Sequence, residues 1–134
     1  MEGIIGICDK CKKEISIFIG QIAFDGELRW SLSYNCPYCG DCIEMDDVGF
    51  PPNHVREALM SLYGKWGLSV NESKEKKVKI ISIIRKAFRL SIGEVGKLIK
   101  QLPGVILTGT EAEMKWLNYL LEEEGLNAKV VKII

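Results

Sequence analysis

Two C-x-x-C pairs constrain this chain more than anything else in it: Cys8-Asp9-Lys10-Cys11 and Cys36-Pro37-Tyr38-Cys39, with the 24 residues 12–35 between them. Cysteines at such close spacing in a reducing compartment read as metal ligands sooner than as disulfides. A two-residue spacer lets both sulfurs of a pair reach one ion from a tight turn. Four thiolates then close a tetrahedral site around zinc, at about 2.3 Å each. Gly40, directly after the second pair, supplies the positive φ that such a turn wants. The expectation is one structural Zn²⁺ held by Cys8, Cys11, Cys36 and Cys39. A thioredoxin-like redox pair needs a strand-to-helix context inside a βαβ frame, which two pairs flanking a hairpin do not provide.

The stretch between the pairs reads as that hairpin. Ile15, Ile17 and Ile19 alternate along Glu14 to Phe24, and Leu28, Trp30, Leu32 and Tyr34 alternate on the return. Asp25-Gly26 between them is a strong signal for a type I′ turn, in which both central residues have φ > 0. The hairpin brings the two cysteine turns together at its open end. Over roughly Ile7 to Glu44 the chain therefore resembles a zinc ribbon. Cys42 is surplus. Cys39-Gly40-Asp41-Cys42 is itself a C-x-x-C, so Cys42 could replace Cys39 or Cys36, although a free thiol beside the site is the preferred reading. The single histidine, His54, rules out a His-pair metal site. It is expected to be solvated in the first turn of a helix capped by Asn53, whose apolar face is Val55, Leu59, Leu62 and Tyr63 and which stops at Gly64.

Charge divides the chain. Formal net charge is zero overall, but residues 1–66 carry −4 and residues 67–134 carry +4. The polar stretch Asn71 to Lys77 lies near the break. No apolar run reaches the roughly 18 residues of a membrane span, so no membrane partner is expected and the expected compartment is the cytoplasm. Lys10, Lys12 and Lys13 form a local basic patch at the first cysteine turn. Asp41, Glu44, Asp46 and Asp47 oppose it near the second, so nucleic acid is the less favoured partner.

The second half alternates element types. Trp66 to Val70 reads as a strand, and Val78, Ile81, Ile84 and Phe88 as the buried stripe of a helix. Ser91-Ile92-Gly93-Glu94 and Thr110-Glu111-Ala112-Glu113 are capping boxes. The first opens a helix that ends before Pro103, and the second a helix carrying Met114, Leu117 and Leu121 that stops at Gly125. Val105 to Leu107 and Lys129 to Ile134 are strands. The expected fold is α+β: a zinc ribbon over 1–49, a connecting helix over 50–65, and a β-α-α-β-α-β sandwich over 66–134.

Several stretches of that second part fall in register with a known family. They are Val78 to Arg85, Leu90-Ser91-Ile92-Gly93-Glu94-Val95, Lys97-Leu98-Ile99 leading to Pro103, and Leu120 to Gly125. In these the chain resembles the C-terminal domain of the bacterial ribosomal stalk protein, a fold related to the Clp protease adaptor. The resemblance implies fold more than task. Family lysines fall on Ser82, Gly93 and Gly96, while Arg85 and Glu94 remain. Losing those charges argues against recruitment of translational GTPases. Arg85, Lys86, Arg89, Lys97 and Lys100 still make the two-helix hairpin basic, and they are the candidate partner-binding residues. Catalysis finds no motif: there is no Gly-rich phosphate loop, no serine elbow and no second histidine, and Asp46-Asp47 has no visible partner. A ribbon joined to this second fold in a small neutral chain resembles bacterial immunity proteins and antitoxins, which implies a protein partner, a toxin among the candidates. The contrasting expectation is an RNA-binding, translation- or transcription-associated protein that uses the lysines and the basic helix face.

Overall fold

The computed structural model describes residues 3–88 and 90–134. Within them the chain is α+β, with two antiparallel sheets and four α-helices. The first sheet is a four-stranded meander of β1 (Gly3–Ile7), β2 (Glu14–Phe24), β3 (Glu27–Asn35) and β4 (Cys42–Val48), in that spatial order. Its centre is the expected hairpin. Asp25 and Gly26 have φ of 53° and 77°, and Phe24 pairs with Glu27 across the turn.

The hairpin does not stand alone, because β1 and β4 flank it. Neither outer strand shows the alternation by which the inner two were read. β1 is two glycines among three isoleucines, and β4 is an edge whose Glu44, Asp46 and Asp47 face water. Edge strands tolerate both features because only one side must pair and pack.

Helix α1 (Asn53–Tyr63) packs on this sheet, and Val55 and Leu59 form one buried cluster with Ile19 of β2. Asn53 is not its cap. Pro52 occupies that position with ψ 151°, Asn53 is the first helical residue, and no side chain caps the turn. Gly64 ends the helix as expected, with φ 93° and its N–H donated to Met60 O.

The remaining elements are β5 (Trp66–Val70), a single 3₁₀ turn at Lys74–Lys76, α2 (Lys77–Phe88), α3 (Ile92–Ile99), β6 (Gly104–Gly109), α4 (Glu111–Glu123) and β7 (Ala128–Lys132). They form a three-stranded sheet in the order β6-β5-β7. The largest core joins Leu68 and Val70 of β5 with Ile80 and Ile84 of α2, Val95 and Ile99 of α3, and Met114, Leu117 and Leu121 of α4. The phase of α2 differs from the expected stripe. Ile80 and Ile84 are its buried pair, while Val78 is 72% exposed. Four isoleucines among residues 80–84 leave the helical phase ambiguous on periodicity alone, and the 3₁₀ turn that leads into α2 offers no apolar marker to fix it.

Both capping boxes form, Ser91 with Glu94 and Thr110 with Glu113. Helix α4 ends in a Schellman motif. Gly125 has φ 75°, Leu126 N–H reaches Leu121 O at 3.0 Å, and Gly125 N–H reaches Glu122 O at 2.9 Å.

The two sheets are joined through α4. The β2–β3 turn docks there, with Trp116 Nε1 donating to Gly26 O at 3.0 Å. Phe50, in the segment after β4, packs against Phe88 at 4.4 Å and against Trp116 at 5.8 Å between ring centroids. Among the described residues no helix is long and apolar enough to cross a membrane.

Candidate metal centre

Both cysteine pairs sit in turns of one design. In the first, Lys12 N–H bonds to Cys8 O at 2.9 Å, and Cys8 N–H bonds to Lys13 O at 3.0 Å. In the second, Gly40 N–H bonds to Cys36 O at 3.0 Å, and Cys36 N–H bonds to Asp41 O at 2.8 Å. The residue four after the first cysteine of each pair has positive φ: 63° at Lys12 and 78° at Gly40. Gly40 was the expected place for that conformation. Lys12 adopts it against the usual steric preference.

β2 and β3 carry the two turns to the same end of the sheet. There the four Sγ atoms of Cys8, Cys11, Cys36 and Cys39 lie within 4.8 Å of one another. Two of the separations run between the turns: Cys8 to Cys39 at 3.7 Å and Cys11 to Cys36 at 3.6 Å. A tetrahedron with metal–sulfur bonds of about 2.3 Å has edges of about 3.8 Å, so this is the spacing of ligands around one ion. It is too wide for a disulfide, whose sulfurs lie about 2.05 Å apart. Cys8 and Cys36 are buried, and Ile15 and Tyr34 close over them from β2 and β3.

The thiols also hold charge unequally. Burial pushes the Cys36 thiol up, but the backbone N–H groups of Cys39 and Tyr38, together with the Cys11 and Cys39 thiols, outweigh it and bring it down to about 7. At Cys39 the Asp41 backbone N–H favours the thiolate, yet burial and the neighbouring Cys36, Cys8 and Cys11 sulfurs push it up to about 12. The pocket accepts negative charge at Cys36 and resists adding it at Cys39. A cation at the centre removes that conflict, because the ligands must all be thiolates. The donor set and its spacing therefore fit one metal ion, and four sulfurs leave no open coordination position for a substrate.

Around the sulfurs stands a polar pair that the sequence reading missed. Tyr34 OH donates to Asp41 Oδ2 at 3.2 Å, and that oxygen lies 4.0 Å from Cys8 Sγ. Burial raises the Tyr34 phenol, with the Asp41 carboxylate adding to the effect, so it remains a proton donor. Its only sequence signal is the place of Asp41 two residues beyond Cys39.

Cys42 stands outside the group. It lies exposed on β4, opposite Asn35, and its thiol donates to Asn35 Oδ1 at 2.7 Å. His54 is exposed in the first turn of α1. Among the described residues the four thiols are the one cluster of metal-ligating side chains.

The candidate partner residues are spread more widely. Arg85 and Lys86, exposed in the last turn of α2, border a groove of about 580 Å³ that also takes in Val78, Ile81, Leu90 and Ile92. Lys97 and Lys100 are exposed at the far end of α3 and do not line it. Arg89 lies outside the described residues. At the cysteine turns, Lys13 Nζ sits 4.7 Å above the exposed Tyr38 ring.

No protein-family model and no curated protein sequence matches this chain.

Proposed function

We propose that this chain is a non-enzymatic, zinc-stabilised protein-interaction module of the immunity or antitoxin type, which neutralises a partner protein. In this reading the ion is zinc, residues 1–49 are a zinc ribbon, 50–65 a connecting helix, and 66–134 a β-α-α-β-α-β sandwich like the ribosomal stalk C-terminal domain. All-sulfur tetrahedral coordination suits zinc, and it serves structure by ordering a sheet whose own core is small.

The observation that carries the functional reading is the groove beside α2. Val78 and Ile92 are 72% and 62% exposed there, next to Arg85 and Lys86. Apolar side chains left in water beside cations suit a protein surface that is apolar at its centre and acidic at its rim. A closed Cys₄ site offers no chemistry of its own, and this supports a binding role over a catalytic one.

A second reading, RNA binding in translation or transcription, draws on Lys13 above Tyr38 with Lys10 and Lys12 alongside. An aromatic face flanked by cations suits a stacked base and its phosphates.

Capture from native lysate, with and without nuclease, separates the two. The protein-partner reading expects one protein retained after nuclease treatment and lost on combined Arg85→Glu and Lys86→Glu substitution. Retention of RNA at about 150 mM salt, with no protein surviving nuclease, would replace it with the second reading.

A further inference from the structure

The two edges of the four-stranded sheet are unlike. β4 carries Glu44, Asp46 and Asp47 within seven residues, and charge on an edge strand is a common guard against pairing with another chain. β1 is Gly3-Ile4-Ile5-Gly6-Ile7, with no charge and no proline, and among the described residues its one partner strand is β2. Among those residues no strand pairs with the backbone donors and acceptors of its other side. On the face of the sheet turned away from α1, Ile5 is 69% and Ile7 56% exposed.

We propose that β1 pairs antiparallel with β1 of a second copy of this chain, joining the two sheets into one of eight strands with the twofold axis at Ile5.

Three features of β1 and its neighbour select this occupant. The first is register. A twofold axis normal to a sheet keeps every residue on its own face, so paired residue numbers must sum to an even number. Centring on Ile5 is the register that pairs all five residues: Gly3 with Ile7, Ile4 with Gly6, and Ile5 with its own copy. Each glycine then meets an isoleucine of the other chain, so bulk is matched with space at every pair except the axial one.

The second feature is the lean of β2 across those glycines. Phe18 pairs with Gly3, and a side chain built at Gly3 would stand 3.3 Å from the Phe18 ring. On the opposite face, Ile17 Cδ1 fills the space a Gly6 side chain would need. Apolar groups from β2 thus extend over the glycines towards the free edge. Ile7 of the second copy lands beside Phe18, and Ile4 of the second copy beside Ile17. The contact is isologous, so both patches are covered twice.

The third feature is charge. Residues 1–66 carry −4, so two copies repel wherever their acidic groups meet. Pairing through β4 would set carboxylates against carboxylates, whereas β1 offers an uncharged strip.

Sedimentation velocity of the full metal-loaded chain, at tens of micromolar and about 150 mM salt, tests the proposal. The expected mass is twice that of one chain. Ile5→Lys sediments as one chain with an unchanged far-ultraviolet spectrum, because two lysines then oppose each other at the axis. Ile5→Thr, which keeps strand propensity, weakens the dimer by about tenfold through lost apolar burial and serves if the lysine variant misfolds. An equal mixture of Ile5→Lys and Ile5→Glu returns to twice the chain mass, since this register alone sets those two positions opposite one another. A wild-type chain that sediments as one copy overturns the proposal. So does a doubled mass that survives Ile5→Lys, which would place the contact elsewhere, or a mixture that stays at the mass of one chain, which would refute the register.

Discussion

Arg56 of α1 grips Glu113 of α4 with two parallel hydrogen bonds, Nε to Oε2 at 2.7 Å and Nη2 to Oε1 at 2.8 Å, and the carboxylate is fully buried. Gln21 of β2 donates to the same carboxylate at 3.2 Å, and Thr110 N–H does so at 3.2 Å through the capping box. One carboxylate therefore ties the first sheet, α1 and α4 together. The hydrogen bonds it donates to Glu113 hold the Arg56 guanidinium above its ordinary value against the opposing effect of burial.

Breaking that pair should be costly. A buried charge left without its partner costs about 3–5 kcal/mol, and the partial exposure of Arg56 puts the expected loss for Arg56→Ala near the low end, about 3 kcal/mol. Arg56→Lys should recover part of it, because an ammonium cannot bond both oxygens in the same fork. Urea denaturation of the metal-loaded protein measures both. A loss under about 0.5 kcal/mol for Arg56→Ala would mean that the tie is not what holds the two sheets together.

Lys12 occupies the left-handed conformation that its counterpart Gly40 takes without strain. Side chains other than glycine pay about 1–2 kcal/mol there, partly offset by the extra freedom glycine gives the unfolded chain. Lys12→Gly should therefore stabilise the metal-loaded protein by about 0.5–1 kcal/mol. Gly40→Ala should destabilise it by about 1 kcal/mol or more. Thermal or urea melts read both signs, and a destabilised Lys12→Gly would show that the lysine side chain matters more than its backbone.

This difference between equivalent turns shows where residue patterns are informative. Cys8, Cys11, Cys36 and Cys39 were legible because ligand spacing is local and chemically narrow. The Asp25-Gly26 turn and both capping boxes were legible for a similar reason: each is satisfied within four residues. Arg56 and Glu113 stand 57 positions apart, and the local pattern at Glu113 accounts for it as a cap, so nothing local announces the pair. β1 and β4 were missed because an edge strand needs no alternation. The phase of α2 was missed because Ile80, Ile81, Ile83 and Ile84 offer several apolar faces, and only packing against β5 and α4 selects one.

Proton release follows from Cys36. Its thiol is held at about 7 against an ordinary 9.0, so in the metal-free fold it contributes stability that is full above the ordinary value and is lost as pH falls through about 7. Cys39, raised to about 12, acts in the opposite sense: its share is present below 9.0 and is lost as pH climbs towards 12. At pH 8 the Cys36 proton is mostly gone before metal arrives. Calorimetry in buffers of different ionisation enthalpy should find fewer than four protons released per ion at pH 8, and metal affinity that falls as the solution is acidified. Four protons released at pH 8 would mean that the Cys36 thiol is not lowered.

Charge beside the α2 groove should govern encounter more than folding. Arg85→Glu with Lys86→Glu should slow association with a protein partner by about tenfold or more, as expected for rim charges that steer docking. Both side chains are exposed, so the melting temperature should scarcely move. Stopped-flow or surface-resonance kinetics on the captured partner would show it. Unchanged association rates would place the partner on another surface.

The metal itself is open to direct observation. X-ray absorption at the zinc edge, on protein purified without chelator and paired with elemental analysis, should find one zinc per chain with four sulfurs at about 2.3 Å, and the same result for Cys42→Ser. Protein purified without chelator that carries no zinc, or a shell in which nitrogen or oxygen replaces sulfur, would contradict the assignment of Cys8, Cys11, Cys36 and Cys39 as the ligands of one structural zinc ion.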